Sequence, residues 1–347
     1  MYKKLIKPIF FLFPPEKVHA WVMGTMNGLM YLPGIKTLVQ KLFQVKHPVL
    51  ERELFGLQFP NPVGMAAGFD KEGKYYNTLS AMGFGFVEIG TFTPKGQPGN
   101  PKPRLFRLPE DEALINRMGF NNSGALRAVE RLKKHHPQCI IGGNIGKNTA
   151  TPNVDATQDY HIAFETLFPY VDYFVINVSC PNITDMRELQ DKKALLNILE
   201  TVTTLNRQKE KPKTVLLKIS PDLNQQQIDD TLAIVEKTGI DGIIATNTTV
   251  GRKNLTTPEK RLREAGTGGL SGSPIRKRAT EVIRYIAQKT HGKLPVIGVG
   301  GIMTPDDAIE KLEAGADLIQ VYTGFVYEGP FIAKKINKAL VKRHKDK

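Results

Sequence analysis

From about residue 60 onward, hydrophobic and polar positions come in alternating blocks. Uninterrupted apolar runs, rich in Val and Ile and ending in Gly, Asn or Thr, fall at 62–67, 84–90, 139–143, 173–178, 215–219, 241–246, 295–299 and 317–322. A short run with no polar face reads as a strand covered on both sides, the condition of a parallel sheet. Stretches with apolar positions at helical spacing lie between and after them, at 74–82, 124–134, 155–168, 189–208, 225–238, 275–290, 304–314 and 330–342. This alternation, eight times over, predicts an α/β chain folded as a (β/α)8 TIM barrel. A doubly wound sheet is the alternative, but it usually has fewer strands. Its dinucleotide fingerprint is also missing: Gly298-Val-Gly-Gly301 comes late and lacks the final Gly or Ala.

Residues 1–47 break the rhythm and are expected to form an N-terminal helical extension, with 48–347 as the barrel. Lys3, Lys4 and Lys7 precede the apolar run 9–13, as in a secretory signal. That run is short, however, and Pro14-Pro15 follows it with no small-residue cleavage site. No stretch approaches the roughly 20 apolar residues that span a bilayer. Two amphipathic helices are predicted instead. The first, 16–30, aligns Val18, Trp21, Val22, Met26, Leu29 and Met30; the second, 35–43, aligns Leu38, Val39, Leu42 and Phe43; Pro33-Gly34 breaks between them. Such a pair either lies in a membrane interface or packs on the main domain.

Charge sharpens the contrast between arm and barrel. The net charge of +14 is concentrated at the ends: residues 1–50 carry seven Lys and one Glu, and 331–347 carry seven Lys/Arg and one Asp. The stretch between is nearly neutral, unlike the basic face of a nucleic-acid binder. Basic ends suit an anionic membrane surface. Two cysteines, Cys139 and Cys180, make no disulfide scaffold and fit a reducing compartment. No Cys or His spacing points to a metal.

In a barrel of this kind the chemistry sits at the C-terminal ends of the strands. There the chain places Ala67, Gly68 and Lys71 after the first run, Thr91 after the second, Asn144 after the third, Asn177 after the fourth and Thr246-Asn247-Thr248 after the sixth. A long loop adds Asn116-Arg117-Met118-Gly119-Phe120. One Asn at a strand end is a turn or a cap. Several converging on one mouth supply amide donors and acceptors without charge, which suits a flat ligand edged with amides. Lys218, inside the fifth run, needs an anionic partner or must reach solvent; its functional reading is a charge that stabilises an anion in the mouth. Gly272, Gly300, Gly301, Tyr322 and Thr323 follow the late strands, where barrels often bind phosphate. Cys180, in Asn177-Val-Ser-Cys-Pro-Asn182, is placed to remove a proton if a nearby cation lowers its pKa. Together these features point to a mononucleotide cofactor and a small polar substrate.

The segments 67–71, Glu88-Ile-Gly-Thr-Phe-Thr-Pro94, 116–120, 177–182, Ile244-Ala-Thr-Asn-Thr-Thr249, Gly268-Gly-Leu-Ser-Gly272 and 298–301 resemble those of the dihydroorotate dehydrogenases, and the likeness runs from His19 to Gly329. The arm resembles that of the membrane-associated, quinone-reducing class 2 branch. The resemblance implies a barrel holding FMN that oxidises dihydroorotate to orotate in pyrimidine synthesis and reduces a quinone. It implies a peripheral protein on the cytoplasmic side of the cell membrane, and a monomer is expected. It would set FMN against Ala67, Gly68, Thr91, Asn144, Asn177, Lys218, Thr246, Gly272, Gly300, Gly301, Tyr322 and Thr323. Substrate would meet Lys71, Asn116, Arg117, Met118, Gly119, Phe120, Asn177, Asn182, Asn247 and Thr248, with Lys71 on its carboxylate. Cys180 and Lys218 would be catalytic, and His19, Arg107 and Tyr322 would line the quinone path. Residues 182–189 would close as a lid. One departure stands out: class 2 enzymes usually carry Ser at the base position, whereas Cys180 is the class 1 choice. A tRNA-modifying flavin barrel and a basic binding module without flavin are the competing readings. The near-neutral barrel disfavours the first, and the Asn-lined mouth disfavours the second.

Overall fold

The computed structural model describes residues 2–179 and 191–346. Eight parallel strands close into a barrel: β1 (Val63–Asp70), β2 (Phe86–Phe92), β3 (Ile140–Ile145), β4 (Tyr173–Asn177), β5 (Thr214–Ile219), β6 (Gly242–Ala245), β7 (Val296–Val299) and β8 (Leu318–Val321). Each pairs with its neighbours in chain order, and β8 closes on β1. Helices covering the outside include Ala125–His135, Ala156–Leu167, Lys192–Arg207, Gln225–Thr238, Arg276–Lys289, Pro305–Glu313 and Ile332–Lys345. The eight predicted runs are these strands, displaced by at most three residues at their ends.

The barrel is closed below and open above. An antiparallel hairpin, Arg52–Leu54 with Leu57–Phe59, covers the N-terminal end of the strands. Phe59 meets Phe86 edge-on at 5.3 Å, beside a plug of Tyr173, Val175, Leu216, Ile244, Ile297 and Leu318. The rings fit because glycines face them: a Cβ at Gly64 would lie 2.4 Å from the Phe86 ring, and one at Gly142 2.3 Å from Tyr173. The same rim pins the strand register. Asp172, Asp241 and Asp317 accept backbone hydrogen bonds from Ile141, Val215 and Val296, at 2.7, 2.7 and 2.8 Å. Above the opposite end stands a three-stranded sheet of Leu105–Leu108, Ala113–Asn116 and Gly269–Gly272, which brings the loop after Asn116 over the mouth.

The arm contains the two expected helices, Pro15–Leu29 and Ile35–Phe43. It also contains a helical stretch that the hydrophobic pattern did not disclose, Tyr2–Ile6 continuing into Lys7–Phe11. Neither half buries a residue fully, so no apolar stripe marks it. The arm packs on the barrel through one face. Met23, Val39 and Phe43 are buried, and Phe43 stacks on Phe331 at 4.5 Å. Glu16 pairs with the buried Arg104 at 3.0 Å, and Thr78 donates to Asn27 at 2.8 Å. The other face leaves Leu5, Ile9, Leu12, Phe13, Trp21, Leu32, Leu38 and Leu42 exposed. No described helix is long and apolar enough to cross a membrane. Packing against the barrel and presenting an apolar outer face are therefore not alternatives for this arm, which does both. Phe43→Ala should cost about 3 kcal/mol by emptying the seam between arm and barrel. The readout is a lower thermal midpoint, and an unchanged midpoint would show that the seam adds nothing.

Candidate active site

Two cavities occupy the open end of the barrel. The first fills the mouth, with about 930 Å³ of free space counted out to its open side. It is lined from nearly every strand end: Ala67, Gly68 and Lys71 after β1, Thr91 in β2, Asn177 in β4, Lys218 in β5, Thr246, Asn247 and Thr248 after β6, Gly300 and Gly301 after β7, and Tyr322 and Thr323 after β8. Asn116, Met118, Gly119, Phe120 and Gly272 come over the top from the three-stranded sheet and its loop. Most residues singled out in the sequence therefore meet around one space.

Five sequence expectations differ in detail or fall outside the described residues. Arg117 is not among the lining residues. Its guanidinium donates to the Pro103 carbonyl at 3.0 Å and lies over the Phe106 ring at 5.0 Å, which braces the loop from outside. Asn144 lies one layer below the cavity, accepting from Thr91 and, at 3.3 Å, from Asn177. Cys180, Asn182 and the expected lid lie outside the described residues.

The mouth also has a floor, built by Lys218, by Glu88 at the head of the segment 88–94, and by Gln320, which no motif marks. Lys218 is buried, and its ammonium lies 3.5 Å from the Glu88 carboxylate. Glu88 also accepts from Asn144 and from Gln320, both at 2.6 Å. Gln320 lines the cavity, and its side-chain oxygen is buried with no hydrogen-bond partner among the described residues. The signal for both is the same as for Lys218, a lone polar residue inside an apolar strand: Glu88 sits in Phe-Val-Glu-Ile and Gln320 in Leu-Ile-Gln-Val. Asn247, held by donating to Ser179 at 2.9 Å, completes the amide ring around the opening.

The second cavity lies between barrel and arm, with about 2140 Å³ of free space including its open side. The arm supplies Tyr2, Ile6, Phe10, Val18, His19, Val22, Met23 and Met26, and the barrel supplies Phe69, Leu105, Arg107 and Phe325. Its wall is predominantly apolar, as expected of a site for a greasy ligand. Gly68, Lys71, Met118 and Tyr322 belong to both cavities, so one layer of residues separates them. Tyr322 donates to the Gly68 carbonyl at 3.3 Å, and burial pushes its phenol up to about 12, so it stays protonated at neutral pH. Arg107 donates to the Phe13 carbonyl at 2.7 Å and lies over the Phe11 ring at 4.5 Å, tying the arm's first segment to the cavity wall. His19 packs edge-on against Phe69 at 4.7 Å, and its Nε2 is buried without a partner among the described residues. Burial, helped by the charge of Lys71, lowers its pKa from 6.5 to about 4. Asp70, wholly buried, is pushed up to about 6 by desolvation, although Lys74 and Tyr75 donate backbone hydrogen bonds to it.

Comparison with known proteins agrees with this geometry. The dihydroorotate dehydrogenase family model matches residues 49–343. A dihydroorotate dehydrogenase (quinone) of Christiangramia forsetii is 54% identical over 343 residues, covering 99% of both chains. One of Mycobacterium tuberculosis is 44% identical over 342 residues, covering 99% of this chain and 94% of its own. Among solved structures, DHODH of Eimeria tenella in complex with ferulenol superposes with a TM-score of 0.86 at 35% identity, covering 96% of this chain and 92% of that one.

The two titrating groups beside the second cavity act in opposite senses. A histidine held at about 4 when folded and 6.5 when unfolded contributes stability above 6.5 that is lost as pH falls toward 4. Asp70, raised to about 6, contributes stability at low pH that is lost as pH rises through 6. His19→Gln removes only the first effect. Between pH 6.5 and 4 its thermal midpoint should fall less than that of the unaltered protein. Equal falls would mean that burial does not lower the His19 pKa in the folded protein.

Proposed function

The chain belongs to the dihydroorotate dehydrogenase family, and on that premise we propose that it oxidises dihydroorotate to orotate in the barrel mouth and delivers the electrons to a quinone in the second cavity. The observation that carries this reading is the wall shared by the two cavities. Dihydroorotate gives up two electrons and two protons, and a quinone becomes a quinol by taking up the same number. A small polar acid and a lipid-soluble quinone need different pockets, and one redox group must reach both.

FMN fits the mouth. The chemistry of the donor set carries this, because it changes around the lining. Thr91, Asn177, Lys218 and Thr246 offer amide, hydroxyl and ammonium groups at one end. Gly272, Gly300, Gly301 and Thr323 line the other, three of them without a side chain, so the backbone can come close to a phosphate. When bound, FMN supplies the two-electron chemistry that no side chain provides. The protein's own contributions are position, charge and proton transfer. Lys71 would hold the substrate carboxylate, and Asn116, Asn177, Asn182 and Asn247 would hold its ring amides. Lys218 would offset the negative charge that the site gains on reduction. Cys180 would take the proton from C5 of the substrate.

The second cavity would bind the quinone with its head toward Tyr322, past His19 and Arg107. The arm would lie on the cytoplasmic face of the cell membrane, with its exposed Leu and Trp side chains in the interface and its lysines against anionic headgroups. Both cavities come from one chain, so a monomer suffices for the cycle.

The test separates the two half-reactions. Anaerobic addition of dihydroorotate should bleach a yellow protein, and a soluble quinone should restore the colour. A yellow protein that does not bleach would sink the substrate assignment, and a colourless one that takes up no FMN would sink the flavin. Cys180→Ala should slow bleaching by roughly 10²–10⁴-fold, the usual contribution of a general base, while leaving recovery by quinone unchanged. Near-normal bleaching would assign the base elsewhere.

A further inference from the structure

The buried carboxylate of Glu88 lies beneath the mouth, lines neither cavity, and is bonded to residues that do. It is fully buried in β2 and is reached from three other strands. Asn144 of β3 and Gln320 of β8 donate to it at 2.6 Å each, and the Lys218 ammonium of β5 lies 3.5 Å away. Lys218 and Gln320 line the mouth directly, and Asn144 bonds Thr91 and Asn177, which line it too. Below Glu88 the barrel is filled by Phe86, Tyr173, Val175 and Leu216. A carboxylate in such a place is costly unless charge and hydrogen bonds compensate it. A glutamine would fill the same volume without that cost, so the distinctive property of Glu88 is its charge.

We propose that Glu88 is a positioning residue that holds Lys218 at the floor of the mouth and, through its own negative charge, limits how strongly that lysine favours the reduced flavin. The inference rests on the FMN reading above. Reduction adds negative charge to the mouth. The ammonium of Lys218 favours that change, and a carboxylate behind it opposes it. The pair thus sets a moderate driving force: high enough for electrons to enter from the substrate, low enough for them to leave to the quinone.

The experiment reads the flavin directly. The unaltered protein is first shown to retain FMN; failure here would sink the functional reading and not this one alone. Glu88→Gln should then raise the flavin midpoint potential and tighten binding of sulfite, which forms an anionic flavin adduct, by about ten-fold, as expected for one nearby charge in a partly shielded site. Glu88→Asp, which keeps the charge, should stay near the unaltered values. If Glu88→Gln does not fold with its lysine stranded, Lys218→Met is compared with the Lys218→Met, Glu88→Gln double variant at alkaline pH, where the carboxylate left without its lysine is ionised. The second change should again raise the potential. Unchanged potential and sulfite affinity, or equal shifts from Gln and Asp at position 88, would overturn the proposal and leave Glu88 a packing residue.

Discussion

Inside a closed barrel a charge has no water to turn to, and the arrangement of the mouth follows from that. Glu88 and Lys218 are both buried and face each other across the interior. An isolated charge there would be prohibitive, and even a paired one repays its desolvation only when its remaining lone pairs are also bonded. Asn144 and Gln320 provide those bonds. Once they are committed to Glu88, the next groups outward are fixed in turn: Asn144 accepts from Thr91 and Asn177, and these reach the cavity. The polar lining is thus the outer layer of a network whose geometry is set one layer further in. Strands joined by many hydrogen bonds and by the three aspartates at the lower rim give that network a rigid frame.

The arm solves a different problem. A quinone lives in lipid, while a mouth built of amides repels it. The protein places a mostly apolar chamber against the mouth and roofs it with helices whose outer faces stay greasy. Gly68 matters here because at φ 90° it leads the chain away from the strand without a side chain, so the layer between the chambers stays thin. Holding His19 neutral is consistent with the same logic, since a charged imidazole in the chamber wall would be costly where its Nε2 has no partner among the described residues.

The barrel was legible from the sequence because its strands are buried on both faces, and eight unbroken apolar runs alternating with helical stretches suit few other folds. The mouth was legible because strand ends are where barrels do chemistry, so Asn177, Thr246 and Asn247 could be read by position, and Lys218 by its charge inside an apolar run. What escaped has physical reasons as well. The segment Tyr2–Phe11 buries no residue completely, and periodicity reports only faces that are buried. Arg117 sits in a run of site residues, yet whether a loop side chain turns inward or outward depends on its neighbours, here Pro103 and Phe106. Glu88 opens one of the family-like segments and Gln320 none, and neither stands at a strand end that would give it a role, although a polar residue inside an apolar strand is as strong a signal as any terminal asparagine.

Cys180 shows where such reading meets a limit of a different kind. A thiol is a stronger acid than a hydroxyl, so a cysteine base is more readily charged at neutral pH than the serine usual in this branch. Nothing in the proposed quinone chamber requires that choice, because its wall comes from the arm, the end of β1, Leu105, Arg107 and Leu114 of the three-stranded sheet, and Tyr322 and Phe325 after β8. Under the proposed assignment of the two cavities the half-reactions are separable: a change of base would alter how the substrate's proton leaves without touching how electrons depart. On the proposed reading, a class 2 arm and a Cys180 base are then no contradiction. The barrel mouth can vary its proton chemistry on one side of Gly68 and Tyr322, while the other side stays fitted to lipid.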